Sequence, residues 1–164
     1  MDVFRGYFGF REALDLFRVV GDVTMEAWSL HMLGTALLRQ GRADEARTTL
    51  HHALRHFHDA SDAAGINLLF DDLSSLAVVD GDLPRAARLR GAARRLTATT
   101  GVELAHFINE QYEFAARPQV VRQLSPEELE RYGAEGAAMP LDAAVAYALD
   151  IPLEELGVHV HERA

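Results

Sequence analysis

The 164-residue sequence contains no cysteine, no lysine and no long hydrophobic run. Without cysteine it has no disulfide, no thiolate nucleophile and no cysteine-ligated zinc site. Without a run of about 20 apolar residues it has no candidate membrane-spanning helix, and its first residues lack the pattern of a secretory signal. We therefore expect a cytoplasmic protein with no membrane partner.

All 16 cationic residues are arginine, a bias typical of a GC-rich genome, and the acidic charge is concentrated in the last third of the chain. Residues 1–100 carry 13 acids against 12 arginines, a net charge of −1, whereas residues 101–164 carry 12 acids against 4 arginines, a net charge of −8. Phosphate backbones attract excess cationic charge, so this balance argues against a nucleic-acid partner.

The sequence repeats with a period of about 40 residues. Positions 13, 53 and 93 are all alanine, positions 21, 61 and 101 read Gly, Ser and Gly, and Gly41 recurs as Gly81. Such a period is typical of stacked helix pairs, in which each pair buries its apolar face against its neighbour. It favours a binding or scaffolding module over an enzyme.

Apolar residues at helical spacing predict one helix over 24–40 and a second over 43–58. Asp22 is expected to cap the first helix and Gly41 to end it. Forty residues later, Asp62 and the Gly81–Asp82 turn are expected to begin the corresponding pair. We thus predict a domain over 1–150 and a tail over 151–164; the domain comprises a single helix over 1–20, repeats over 22–59 and 62–100, and a degenerate repeat with a cap over 102–150.

The helix over 1–20 aligns with the second helix of the unit, but its partner helix is absent from the sequence. A helix without its usual neighbour leaves an apolar face exposed. We therefore predict a homodimer or a higher assembly through this helix, unless the chain is a piece of a longer protein. The predicted interface residues are Phe4, Tyr7, Phe8, Phe10, Leu14 and Phe17.

The C-terminal third follows the period less closely. Apolar spacing predicts a helix that ends near Pro118, and residues 125–128, Ser-Pro-Glu-Glu, form a strong signal for a helix start. A last short helix over 140–149 is expected to cover the open end of the stack. Beyond Asp150 we expect only a frayed or short helical tail.

The first repeat resembles the tetratricopeptide (TPR) pattern, with Leu33-Gly34 at its Leu-Gly pair and Ala46, Leu50 and Ala53 at its small, large and small positions. The second repeat departs from it, because Ser74 replaces the glycine and Arg90 replaces a large apolar residue. The resemblance implies an all-α fold of antiparallel helix hairpins, stacked as a short TPR-like α-solenoid with a C-terminal capping helix.

Residues 81–93, 100–101 and 139–149 also resemble the C-terminal repeat region of actinobacterial LuxR-type and AfsR-type transcriptional regulators and of cyclase-linked ATPases. This resemblance implies a regulatory sensor or interaction arm. The sequence has neither a phosphate-binding loop with its lysine nor a helix-turn-helix, so ATP hydrolysis and DNA reading are not carried over.

The repeat register places eight residues toward the concave side, where such repeats hold peptides. Trp28 offers a large amphipathic surface, Arg39 a fork for a carboxylate, and Asp71 an acceptor for a basic group. Alternatively, Trp28 and Leu68 are packing residues and the others form a solvated face. The groove residues are Trp28, His31, Thr35, Arg39, Leu68, Asp71, Ser75 and Val78.

Three other sets of residues have side chains that could carry chemistry. Residues 51–58 contain four histidines, of which His52 and His56 lie one turn apart, but two ligands do not make a metal site. Five arginines between 85 and 95 are expected to bond carboxylates or helix ends. Asp71 and Asp72 point to different helical faces. We therefore expect no metal, no cofactor and no catalytic residue, and we expect a protein or peptide partner or a small effector in the groove.

Overall fold

The computed structural model describes the backbone of residues 3–101 and 123–157, and the side chains within those ranges from residue 9 onward. These residues are all-helical, with no strand. The helix predicted to end near Pro118 and the last residues of the tail lie outside the described residues. The helices are α1 (Val3–Val20), α2 (Val23–Arg39), α3 (Ala43–Asp59), α4 (Ala63–Val79), α5 (Leu83–Thr100), α6 (Pro126–Ala138) and α7 (Leu141–Leu149), followed by a 3₁₀ turn (Leu153–Leu156).

The turns that follow the first five helices recur every 20 residues. Gly21, Gly41, Ser61, Gly81 and Gly101 all adopt the left-handed conformation, with φ between 54° and 79°. After the first four of them, the next backbone N–H donates to the carbonyl five residues earlier, at 2.8 to 3.1 Å. This hydrogen bond closes each helix in a Schellman motif.

The aspartates in these turns also begin the following helices. The carboxylates of Asp22, Asp62 and Asp82 accept hydrogen bonds from backbone N–H groups two or three residues later, all at 3.0 Å. The predicted caps Asp22 and Asp62 are therefore confirmed. A cap of this type contributes roughly 1 kcal/mol, because it satisfies an otherwise unpaired donor of the first turn.

The helices from α1 to α6 pack in chain order, each against the next. Buried residues of α1 to α5 and of α7 form a continuous core centred on large side chains of α3 and α4 that are almost fully buried, among them Leu50, Phe57, Leu69 and Phe70. A smaller cluster around Ala77, Ala86 and Ala87 joins α4 to α5 and contacts Leu129 and Tyr132 of α6.

The two repeats pack differently at the position where the repeat pattern has a glycine. A Cβ at Gly34 would lie 2.5 Å from Cδ2 of Leu50, so only glycine fits beneath that leucine. Forty residues on, Arg90 replaces Leu50, and Ser74 is fully buried where Gly34 stands, its hydroxyl donating to the carbonyl of Ala86 at 3.0 Å. In the second repeat the serine at the glycine position is thus held by a hydrogen bond to the next helix.

The C-terminal helices have distinct packing partners. A complete capping box begins α6, in which Ser125 and Glu128 bond each other's backbone N–H groups. Helix α6 packs on α5, whereas α7 contacts α3, α4 and α5. That α7 covers the open end of the stack stays a prediction, since its contacts extend from α3 to α5. The 3₁₀ turn packs back on α7, and Leu156 is buried there.

Candidate interaction surfaces

The predicted groove residues of α2 are partly drawn into the core. The Trp28 ring meets His31 and Phe57 edge to face, with ring centroids 5.8 and 5.2 Å apart. The Thr35 hydroxyl donates to the backbone carbonyl of Met32. Arg39, near the end of α2, is exposed. Trp28 therefore acts at least in part as a packing residue, the alternative that the sequence left open.

The groove residues of α4 are more deeply buried. Leu68 is a core residue, and the buried Ser75 donates its hydroxyl to the carbonyl of Asp71. Val78 packs with the smaller cluster that leads to α5 and α6. Neither of the two cavities described below is lined by any of the eight predicted residues. A continuous peptide groove at these positions stays a prediction.

A polar contact between α2 and α4 joins His31 and Asp72, and sequence reasoning missed it. His31 Nε2 lies 2.8 Å from Asp72 Oδ2, and the histidine side chain is 3% exposed. This is an ion-pair distance without hydrogen-bond geometry: both Asp72 Oδ2 and the buried His31 Nδ1 have no hydrogen-bond partner among the described residues. The cluster therefore holds polar atoms that a small polar ligand could satisfy.

Helix α1 shows a different set of apolar residues from the predicted interface. Leu14 is buried, Phe10 packs against the core and Phe17 is half-buried. The side chains of Phe4, Tyr7 and Phe8 lie outside the described residues. Five exposed apolar residues instead lie at the end of α1 and the start of α2, and we call them the α1–α2 corner: Leu16 (65% exposed), Val19 (85%), Val20 (70%), Val23 (52%) and Met25 (40%).

The histidines between 51 and 58 face different neighbours. His58 Nε2 lies 2.9 Å from Oδ1 of Asp142 on α7, while His56 lies 3.9 Å from Glu26 on α2. His52 is exposed. Burial lowers the pKa of His51, an effect partly offset by the nearby charge of Asp150. In the described parts of the chain, no three such side chains are placed to share a metal ion.

Two of the five α5 arginines bond carboxylates and a helix end, as predicted. Arg85 donates to Asp150 at 2.6 Å and to the carbonyls of Tyr147 and Ala148, the last turn of α7. Arg88 donates to Glu135 of α6 at 2.7 Å. Its burial opposes the charged form, but hydrogen bonds with Glu135 and Tyr147 outweigh this and raise the pKa of Arg88.

Two cavities lie between helices. The smaller, about 310 Å³, lies where α4, α5 and the α6–α7 junction meet, and Phe70, Leu96 and Ala144 are among its lining residues. The larger, about 500 Å³, lies between α1 and α3 with α2 as its floor, and we call it the α1/α3 groove. It is lined by Arg11, Leu14, Asp15, Arg18, Leu33, Leu37, Asp44, Glu45, Thr48 and Thr49.

Comparison with known proteins leaves the family open. No family model, no curated protein and no solved structure matches the chain. None of the described helices combines the length and the apolar character needed to cross a membrane.

Proposed function

We propose that the chain is a non-enzymatic, TPR-like protein-interaction module that self-associates through the α1–α2 corner. The observation that carries the proposal is the exposure of five apolar side chains within ten consecutive residues, 16–25. Exposed apolar residues scattered singly are ordinary, whereas a concentration of them marks an association surface. The corner comprises the end of α1 and the start of α2.

The likeness to actinobacterial regulators extends this proposal to a biological setting. In that setting the chain is the regulatory arm of a bacterial transcriptional regulator, or a relative of such an arm. Turns that recur every 20 residues, and helices α1 to α6 that each pack against the next, support a repeat scaffold as the basis of the module.

Molar mass by light scattering at high micromolar concentration tests self-association. The disrupting variant is Leu16→Lys with Val19→Lys, two exposed positions near the end of α1, where a cation also suits the helix dipole. The matched control is Val79→Lys with Leu153→Lys, which are 52% and 46% exposed in the native chain. We expect a native dimer, a monomeric corner variant and a dimeric control. A monomeric native chain, or an equal response of both variants, would refute the proposal.

The second candidate function is effector sensing at the His31–Asp72 cluster. A ligand that satisfies His31 Nδ1 and Asp72 Oδ2 would bind the folded chain only and would raise its melting temperature saturably. The test is a thermal-shift screen of amino acids, nucleotides and short peptides, repeated on His31→Leu. Stabilisation that persists in that variant would exclude this site.

A further inference from the structure

Helix α7 shows what the groove between two neighbouring second helices can hold. It packs on α3 and α5 and touches α4 beneath them. At its N-terminal end Asp142 meets His58 of α3, and at its C-terminal end Arg85 of α5 binds Asp150 and the last carbonyls. Its residues Ala144, Val145, Ala148 and Leu149 are almost fully buried. A short, alanine-rich helix is thus the natural occupant of such a groove.

The α1/α3 groove is the same site one repeat earlier. Subtracting 40 from His58 gives Arg18, from Arg85 gives Glu45, and from Arg88, which lies on the same helix as Arg85, gives Thr48. All three of these earlier residues line the α1/α3 groove. Within the described parts of the chain, the groove holds no helix.

The floor of the groove keeps its apolar character across the repeat. Leu14 and Leu33 line the open groove, and their counterparts Leu54 and Leu73 are core residues of α3 and α4, two helices that α7 contacts. An apolar helix face therefore finds a similar surface in both places. Burial of such a face supplies the affinity, and the charges on the rim select the occupant.

The charged residues at the edge of the α1/α3 groove, Arg18 and Glu45, form its rim. This rim differs from the edge of the groove that holds α7, at the end where α7 terminates. Arg85 binds the helix carbonyls and Asp150 there, but Glu45 is an acceptor and repels both. At the opposite end Arg18 replaces His58, so a cation faces the first turn of an occupant. Arg18 and Glu45 form exposed pairs with Glu26 and Arg42, which rearrange at little cost.

We propose that the α1/α3 groove binds a short amphipathic helix of another protein, with an alanine- and leucine-rich face, an acidic residue in its first turn and an arginine or lysine in its last. This rests on the proposed function for the class of ligand, although it uses a surface other than the α1–α2 corner. The same charge order stabilises an isolated helix through its dipole. A second copy of α7 is disfavoured, since its Asp150 would face Glu45.

Two peptides differing at one residue provide the probes for a fluorescence-anisotropy titration of the full chain. The native peptide has the sequence of residues 140–151, and the matched peptide carries Asp150→Arg, so that it presents an acid first and a base last. We expect the wild-type protein to bind the matched peptide roughly five-fold more tightly, because one repulsive charge contact becomes attractive.

Substitution of the rim identifies the groove that the peptides occupy. Glu45→Arg recreates the donor that Arg85 provides to α7, so we expect this variant to prefer the native peptide. The control Glu130→Arg, an equal charge change at an exposed position on α6, should keep the wild-type preference. Circular dichroism verifies that both variants are folded.

Three results would overturn the proposal. One is no binding of the matched peptide up to about 1 mM. Another is a wild-type preference for the native peptide, which would mean that the probe displaces α7 beside Arg85. The third is a preference unchanged by Glu45→Arg. A monomeric protein that binds the matched peptide through Glu45 would leave this inference intact and refute only self-association through the corner.

Discussion

Replacing Gly136 by alanine should disrupt the contact between α5 and α6. A Cβ at this position would lie 2.6 Å from the carbonyl carbon of Arg88 and 2.8 Å from its Cα, and closer still to the carbonyl oxygen. These are backbone atoms, which no change of rotamer can move aside. On the facing helix, Gly91 has the same relation to the carbonyl of Gly133. The two helices therefore touch backbone to backbone, and an added methyl group forces them apart.

The expected loss follows from two opposing effects. Overpacking a close contact costs typically 1–3 kcal/mol, and a backbone neighbour places Gly136→Ala at about the upper end of that range. Alanine in a helix interior returns roughly 1 kcal/mol relative to glycine. The net decrease in the free energy of unfolding is then about 2 kcal/mol, or a melting temperature lower by roughly 4–8 °C for a chain of this length.

Two other glycines provide matched controls for the same substitution. A Cβ at Gly133 would meet only the Arg94 side chain, 2.6 Å from Nη2, and a flexible guanidinium can move away. A Cβ at Gly9 in α1 would meet nothing within 4 Å. We expect Gly9→Ala to stabilise the chain by about 0.5–1 kcal/mol and Gly133→Ala to have an effect close to zero.

Urea denaturation followed by circular dichroism measures all three variants. The decisive comparison is between Gly136→Ala and Gly133→Ala, which lie in one helix three residues apart. Equal unfolding midpoints for these two variants would show that backbone contact does not hold α6 on α5, and the reasoning would fail.

Further predictions concern α7 and two buried polar groups. Arg85→Ala should lower the free energy of unfolding by roughly 2 kcal/mol and speed amide hydrogen exchange in α7. The same substitution at Arg55, which is exposed, should change neither quantity. Burial lowers the pKa of His51, so the stabilising effect of its neutral form should be complete above the unfolded-state pKa of about 6.5 and should decrease at lower pH. His51→Gln should flatten the dependence of the urea midpoint on pH. An unchanged dependence would contradict this prediction. Thr97→Val removes the hydrogen-bond partner of the buried Asn67 amide and should lower the free energy of unfolding by about 1–3 kcal/mol in urea denaturation. Adding Asn67→Leu should restore most of this loss. A double variant as unstable as the single one would contradict this.

The helices themselves could be predicted closely, because their ends depend on local chemistry. The helix predicted over 24–40 runs from Val23 to Arg39, and the one over 43–58 runs from Ala43 to Asp59. Aspartate caps and left-handed glycines act within a few residues of the helix end, so the sequence displays them directly. The start of α6 at Pro126 was predicted from Ser125 and Glu128 for the same reason.

The surfaces could not be predicted in the same way, because they depend on contacts distant in sequence. His58 and Asp142 are 84 residues apart, and nothing in the helical spacing of either segment indicates that they meet. Asp72 was noted in the sequence as an acid beside Asp71, but its approach to His31 depends on how α2 and α4 lie together. Gly91 and Gly136 were a signal in the sequence for the α5–α6 contact, since glycine inside a helix often marks a close approach of two backbones.

Each aspartate in these turns both ends one helix and begins the next. The backbone N–H of Asp62 closes α3 at Phe57, and its side chain begins α4. The junction therefore has no spare residue to absorb a change in length. One inserted residue would rotate the following helix by about 100° and move its apolar stripe off the core. Unlike a protein with slack surface loops, this chain should accept length changes at these junctions only as whole repeats.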